Sequence, residues 1–542
     1  MRRLLAAAVP SGLRGRLRRL QPEHALAAGA FDRAFYLRTY PDVAQSGMDP
    51  LEHFMAHGWR EGRDPSPDFS VSAYLEAVVE VAESGENPFL HWLAAGRPQV
   101  VRREHPLGFR YEIVERLVPL EVRIAKAVGQ APPRLDDEAV LAQALEVSRE
   151  GFARLHVTLS HDDFTANLGG VQLVIGREAS ALEAAGRDHL HLHPARPWPV
   201  VRPHDAPGAL GVVWNGKAVG VFAPATIARV LSAAAGAQAG GSQAAGGRSF
   251  AIHSLLGHTA DETADILAAA GLREGAFWLH DFASLCAGFH LLRDDVEDCA
   301  APPPGSPACG VCVYGAWRER HRAEHARLFQ RLRLTVVSPS QNALDLWRSA
   351  DDLPAAGLRV HPHVTLAPRG PAPEAEPDRP FRLAYAGFPA AHKGWPLFRR
   401  LALRHAADPR YAFLHLGARP EPNLGLPFHA VRVEPDRPLA MQAALEEHRP
   451  DAVLVWSLCR ETFSFVAHEA VAAGCAVVTG PDSGNVAAFV AAGGQGAVLD
   501  DEAALEAAFE SGSILALARA ARRPQLHDIA FSDLPVDLRS RA

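Results

Sequence analysis

Two glutamates, Glu461 and Glu469, stand eight residues apart in the stretch RETFSFVAHEAVAAG from Arg460 to Gly474. The apolar run Asp451–Ser457 before them reads as a buried parallel strand. The loop after it carries Glu461, and Phe463–Ala473 has the apolar spacing of a helix, with Gly474 as its C-cap. Ala476–Thr479 reads as the next strand. Such a strand–loop–helix–strand unit belongs to an open α/β sheet, where ligands sit beyond the carboxyl ends of the strands. Helical rotation over eight residues leaves the two carboxylates on neighbouring faces, from which they could grip two hydroxyls of a sugar nucleotide. The competing reading is that Glu461 complements the helix dipole and Glu469 is a solvated surface charge.

Other residues could serve the same chemistry. Lys393, in GFPAAHKGW, falls between a strand at Leu383–Ala386 and a helix. There it could meet the charge on a departing nucleoside diphosphate without a metal, or be an ordinary solvated loop lysine. Gly169-Gly170 follows a strand at Leu155–Leu159 and precedes a helix over Val171–Ala185. Glycines at a helix start let backbone N–H groups approach a phosphate, although most Gly-Gly pairs are turns. Ser464 and Asn485, the latter in Ser483-Gly484-Asn485 after the next strand, complete the nucleotide-binding candidates. His280-Asp281 ends a strand over Phe277–Phe282 and could hold the donor sugar or orient an acceptor; the alternative is a satisfied buried histidine. Four of the six cysteines, Cys286, Cys299, Cys309 and Cys312, fall in one loop-like segment. They could form a tetrahedral structural zinc site, remain free thiols, or pair as disulfides.

The pattern of Glu461 and Glu469 with Phe463, His468 and Gly474 in register resembles the signature of retaining GT-B glycosyltransferases of the sucrose-synthase-like family (family 4-like). The resemblance implies that Glu461 contacts the donor sugar and Glu469 the ribose of the nucleotide. The segment HDD–x5–GGVQ is similar to that family's donor-diphosphate loop. Two departures stand out. His392 lies beside Lys393 where the family usually has an Arg shortly before its lysine, and HDFASLC is followed by Ala-Gly where Pro-Arg is typical. In retaining enzymes of this type no base is clearly assigned, and same-face attack assisted by the leaving phosphate is favoured. His280 and Asp281 are therefore site residues without a fixed acid or base role.

The elements needed to position these groups recur along the chain. Strands alternate with helices from Leu155 to Val364, with a hairpin around Asn215-Gly216, and again from Phe381 onward. The proline-rich stretch Leu366–Pro380 between them reads as a linker, and the Gly/Ala/Ser-rich Ala234–Arg248 as a loop. Residues 31–98 hold two copies of one unit at a fixed offset of 38: Phe31 matches Phe69, Tyr36 Tyr74, Gly47 Gly85, Pro50 Pro88 and His53 His91. Each copy should fold as a helix, a Gly-x-x-Pro break and a second helix. The repeat resembles a module at the N-termini of bacterial polysaccharide-building glycosyltransferases. The resulting division is a basic tail (1–28), a helical repeat module (29–100), a helical connector (101–150), an acceptor-side Rossmann-like domain with a Cys-rich insertion (151–366), the linker (367–380) and a donor-side Rossmann-like domain (381–542).

At 542 residues, 48% hydrophobic and net charge −7, the chain can bury several cores, and its charge argues against general nucleic-acid binding. No apolar run approaches the roughly 18–20 residues of a membrane span. The basic opening reads as a disordered tail of a cytoplasmic protein, or as an amphipathic contact of Arg14–Leu20 with anionic lipid at the inner face of the membrane. The expectation is an α/β GT-B enzyme: two doubly wound Rossmann-like domains facing a cleft, preceded by a small all-α repeat module. It would move a sugar from a UDP- or GDP-sugar to a glycan or lipid-linked glycan, with no catalytic cofactor, and the repeat module would bind a protein partner. The alternatives are a nucleotide-sugar epimerase or hydrolase on the same fold, or a non-catalytic assembly scaffold.

Overall fold

The computed structural model describes residues 22–71, 74–75, 78–98, 107–149, 152–206, 208–237, 247–374, 379–421, 425–434 and 437–532. Most of the basic tail, with its lipid-contact expectation, lies outside the described residues. So does 238–246 of the stretch read as a loop, while 234–237 are the last turn of the helix Pro224–Ala237. The chain divides into two compact units: residues 1–111 with 420–427, and residues 112–419 with 428–542.

The first unit is helical, and its repeat is visible atom by atom. Tyr36 Oη meets His53 Nδ1 at 3.0 Å, and Tyr74 Oη meets His91 Nδ1 at 2.8 Å. Asp49 and Asn87 cap the helices Pro50–His53 and Pro88–Ala94, each accepting from the N–H groups two and three residues on. Gly47 and Gly85 end the preceding helices with the same φ of 68°. Phe54 and Phe89, both fully buried, pack edge to face with ring centroids 5.6 Å apart and join the two copies.

Among the described residues the second unit holds two large sheets and two two-stranded ones, one of which is the short, unnumbered hairpin Leu292–Arg293 with Glu297–Asp298. The strands, in chain order, are β1 (Leu155–Leu159), β2 (Asp188–Pro194), β3 (Leu210–Trp214), β4 (Lys217–Phe222), β5 (Ser249–Ile252), β6 (Glu274–Trp278), β7 (Arg333–Ser338), β8 (Gly357–Val360), β9 (Val364–Pro371), β10 (Phe381–Ala386), β11 (Tyr411–Gly417), β12 (Phe428–Ala430), β13 (Ala452–Leu454), β14 (Ala476–Thr479), β15 (Gly496–Val498) and β16 (Gln525–Phe531). The first sheet runs β8-β7-β6-β5-β1-β2-β3-β4 and is parallel apart from the β2–β3 and β3–β4 pairs. The second runs β12-β11-β10-β13-β14-β15, all parallel. Parallel strands covered on both faces are buried throughout: every residue of β1 and of β14 is buried, the polar His156, Thr158 and Thr479 included. This is the two-sheet, Rossmann-like architecture expected of GT-B.

One part of the linker expectation is corrected. Val364–Pro371 is a strand, paired antiparallel with β16 along its length. Pro368, which has no N–H to give, falls where the register shifts, so the ladder tolerates it.

In each sheet the chain leaves a central strand in both directions. β1 lies between β5 and β2, and β10 between β13 and β11. These are switch points, where the loops at the strand ends diverge and leave a crevice for ligand.

Candidate functional site

At the second switch point, the loop after β10 carries Lys393 and the loop after β13 carries Glu461. The Lys393 ammonium and the Ser457 hydroxyl both donate to Oε1 of Glu461. Burial works against the charge on Lys393, but the adjacent Glu461 carboxylate raises its proton affinity above the usual lysine value. Two glycines permit the approach. Gly394, at φ 82°, would drive a Cβ to 2.3 Å from the Trp456 carbonyl oxygen; Gly484, at φ 61°, would drive one to 2.8 Å from the Glu461 backbone. Asn485 donates its N–H to the Glu461 carbonyl at 2.8 Å and opens the helix Asn485–Gly493.

Ser464 is the N-cap of the helix Phe465–Ala472, its Oγ accepting from the Ala467 N–H at 3.2 Å. The oxygen of the hydroxyl expected to hold nucleotide thus caps the start of the helix. Glu469 lies one turn further in, is 6% exposed, and its carboxyl makes no hydrogen bond to any described residue. Burial pushes it up to about 8, so the group is largely protonated at neutral pH. It is not the solvated surface charge of the competing reading.

At the first switch point, Gly169 precedes the helix Gly170–Ala184 in extended conformation. A Cβ on Gly170 would lie 3.8 Å from the ring of Phe465, which places the Gly-Gly turn against the helix that carries Glu469. His280 and Asp281 follow β6. The Thr462 hydroxyl donates to the His280 carbonyl at 2.8 Å, and the Ser340 hydroxyl to the Thr462 carbonyl at 2.8 Å. Burial, then the imidazoles of His253 and His363, holds His280 well below the usual histidine range. Burial pushes Asp281 up to about 6, opposed by the Ala283 N–H, which donates to its Oδ1 at 2.9 Å. The structure therefore gathers Lys393, Glu461, Asn485, Thr462 and His280 through direct contacts, with Gly170 against the Glu469 helix.

The four cysteines line one cavity of about 200 Å³ together with Arg318 and Asp298. All are free thiols, which removes the disulfide reading. The structure gives the zinc expectation no support: among the described residues no three His, Cys, Asp or Glu side chains are placed to hold a metal ion. Burial pushes the Cys286 thiol up to about 11 and raises Cys299 and Cys312, while Arg318 Nη1 approaches Cys309 Sγ at 3.0 Å.

Several site residues were not singled out in the sequence. Arg460 grips Asp298 of the cysteine segment through two parallel bonds, Nε to Oδ1 at 2.9 Å and Nη2 to Oδ2 at 2.7 Å. His290 and His392 stack with ring centroids 5.0 Å apart beside Lys393. They line a cavity of about 230 Å³ with Arg123, Phe289, Asp295 and Tyr314. The departure at His392 was visible in the sequence; its stacking partner was not.

No protein-family model matches the chain, and no curated protein matches it. Similar solved structures include HepE from Anabaena in complex with UDP and glucose, at 14% identity over 68% of this chain and 93% of that one, TM-score 0.39. A glycosyltransferase from Rickettsia africae matches at 9% identity over 68% and 90%, TM-score 0.39. The catalytic domain of starch synthase IV from Arabidopsis thaliana, bound to ADP and acarbose, matches at 14% identity over 68% and 94%, TM-score 0.34. Among the described residues no helix is long and apolar enough to cross a membrane.

Proposed function

We propose that this protein is a retaining glycosyltransferase that takes its sugar from a UDP- or GDP-sugar and passes it to a glycan or lipid-linked glycan of a surface polysaccharide. The observation that carries the reading is the pairing of Lys393 with Glu461 at one switch point, next to the helix that carries the buried carboxyl of Glu469, which has no hydrogen-bond partner among the described residues. A buried carboxyl with no partner is costly unless a ligand supplies one. A ribose diol fits, because a neutral carboxyl can both donate and accept.

In this reading the donor diphosphate takes the Lys393 ammonium, aided by the N-terminus of the helix Gly170–Ala184. That frees the Glu461 carboxylate to accept from a hydroxyl of the donor sugar. Lys393 then meets the charge on the departing nucleotide, which also assists the acceptor's attack on the same face. His280 and Asp281, at the end of β6, meet the sugar or the acceptor. The repeat module is assigned to a protein partner.

A thermal-shift screen of nucleoside diphosphates and their sugars, with Glu469→Ala as the control, tests this. A ligand at a hundred times its Kd adds about 2.7 kcal/mol of stability. The expected result is a shift with one nucleotide class that is lost in Glu469→Ala. No shift with any nucleotide overturns the reading. Incubating that donor with and without glycan acceptors separates the activities: transfer releases nucleoside diphosphate only with acceptor, a hydrolase without it, and an epimerase not at all.

A further inference from the structure

His280 is half-buried and uses only one of its ring nitrogens on a described residue. Its Nε2 lies 2.8 Å from Nδ1 of His253. The ring centroids are 5.0 Å apart and the planes differ by 15°, so the imidazoles meet edge to edge in nearly one plane. His253 turns its other nitrogen, Nε2, to Oε2 of Glu178 at 3.2 Å. The side chains of His253 and Glu178 are 0% and 2% exposed.

The hydrogen positions around Glu178 follow from donor and acceptor arithmetic. Burial alone would push this carboxyl up, but His156 and His253 hold it well below the usual range, so it is ionised. An ionised carboxylate can only accept. The Thr158 hydroxyl therefore donates to Oε2 at 3.1 Å, and Thr158 Oγ1 accepts from His189 Nε2 at 2.9 Å. Ser249 Oγ accepts from Arg187 Nη2 at 2.7 Å and lies 2.7 Å from His156 Nδ1. His156 Nε2 faces the accept-only carboxylate of Glu178 at 3.4 Å, which favours a hydrogen on that nitrogen. The same logic puts a hydrogen on His253 Nε2.

We propose that Glu178 and His253 are positioning residues for His280. Glu178 orients His253 with Nδ1 bare; that nitrogen accepts from His280 Nε2–H; and the lone pair on His280 Nδ1 is left to accept a hydrogen bond from a ligand hydroxyl. The identity of that hydroxyl, on a donor sugar or an acceptor glycan, rests on the glycosyl-transfer reading above. The fixed tautomer does not. A helix residue and a residue at the end of β5 thus act on the site through the end of β6, without touching ligand themselves.

The test is ¹⁵N-histidine NMR of the full chain at neutral pH, with His280 assigned by His280→Gln. The expected spectrum shows His280 neutral with its hydrogen on Nε2 alone. In His253→Gln the tautomer becomes mixed, and turnover falls roughly 10²-fold with the donor KM nearly unchanged. Glu178→Gln serves if His253→Gln does not fold. A wild-type His280 that carries its hydrogen on Nδ1, or is cationic, overturns the proposal with no variant needed; so does a folded variant whose His280 signals are unchanged. A fixed Nε2–H tautomer in a protein that binds no nucleotide sugar would keep the relay and sink the transferase reading. A mixed tautomer in an active transferase would do the reverse.

Discussion

The Thr462 hydroxyl donates to the main-chain carbonyl of His280 at 2.8 Å, so the loop holding Glu461 and the strand end holding His280 are bonded directly to each other. A second link, Arg460 to Asp298, ties the same loop to the cysteine segment. The residues on either side of Glu461 are thus both fixed to the first sheet's half of the molecule.

Arg460→Ala and Asp298→Ala should each cost about 1–3 kcal/mol, because either change leaves a largely buried charge without its partner. The double variant should be less destabilised than the sum, with a coupling of about 1 kcal/mol or more. Denaturant unfolding of the three variants measures this. Simple additivity would mean that the pair contributes no coupling.

Glu461→Gln should reduce sugar transfer by roughly 10² or more, at the scale of one lost transition-state contact. Its affinity for the free nucleoside diphosphate should hold or rise, because Lys393 no longer has a carboxylate partner to leave. Calorimetric titration of the diphosphate against wild type and variant decides it. Weaker binding in the variant would show that the pair does not compete with ligand.

Glu469 makes folding stability depend on pH. Its folded value of about 8 lies above the unfolded carboxylate value of about 4.3. Between the two, the unfolded chain has released a proton that the folded chain keeps. Stability from this group is therefore complete below the lower value and falls as pH rises through the upper one, by about 1.4 kcal/mol per pH unit. Melting temperatures of ligand-free wild type and Glu469→Gln should diverge across pH 5–8, the variant gaining relative to wild type. Parallel curves would show that the carboxyl is not held neutral.

Cys286 should alkylate slowly at neutral pH in the folded protein, because burial pushes its thiol up to about 11 and leaves little thiolate. All six thiols should react in denaturant. Mass spectrometry after iodoacetamide treatment reads both; rapid native labelling of Cys286 would mean that the cavity around it opens.

Much of this site is legible in the chain itself. Glu461, Glu469 and Lys393 stand at loop and helix positions fixed by short apolar runs, and β1 and β14 begin and end where the runs do. Glu178 was not legible. On a helix it looks like any surface charge, and its burial depends on His253, 75 residues away in sequence. Asp298 was hidden in the same way, since only tertiary contact brings it to Arg460. The proline-rich run concealed β9 because proline argues against a strand, while the irregularity at Pro368 removes the need for its N–H. His392 registered as a departure from the family pattern, but its stacking on His290 needs two loops that share no local signal.

The pairing of β9 with β16 bears on how the two sheets can move. The chain passes from the first sheet to the second through β9, and β16 runs back along it; Phe531 at the end of β16 then sits under the Arg177 guanidinium at 3.6 Å, on the helix that follows Gly169. The junction is therefore a ribbon of two strands and not a single tether. A single tether can swing about any axis. A hydrogen-bonded ribbon twists readily but resists bending in its own plane, so opening and closing around a ligand would be confined to a narrow path.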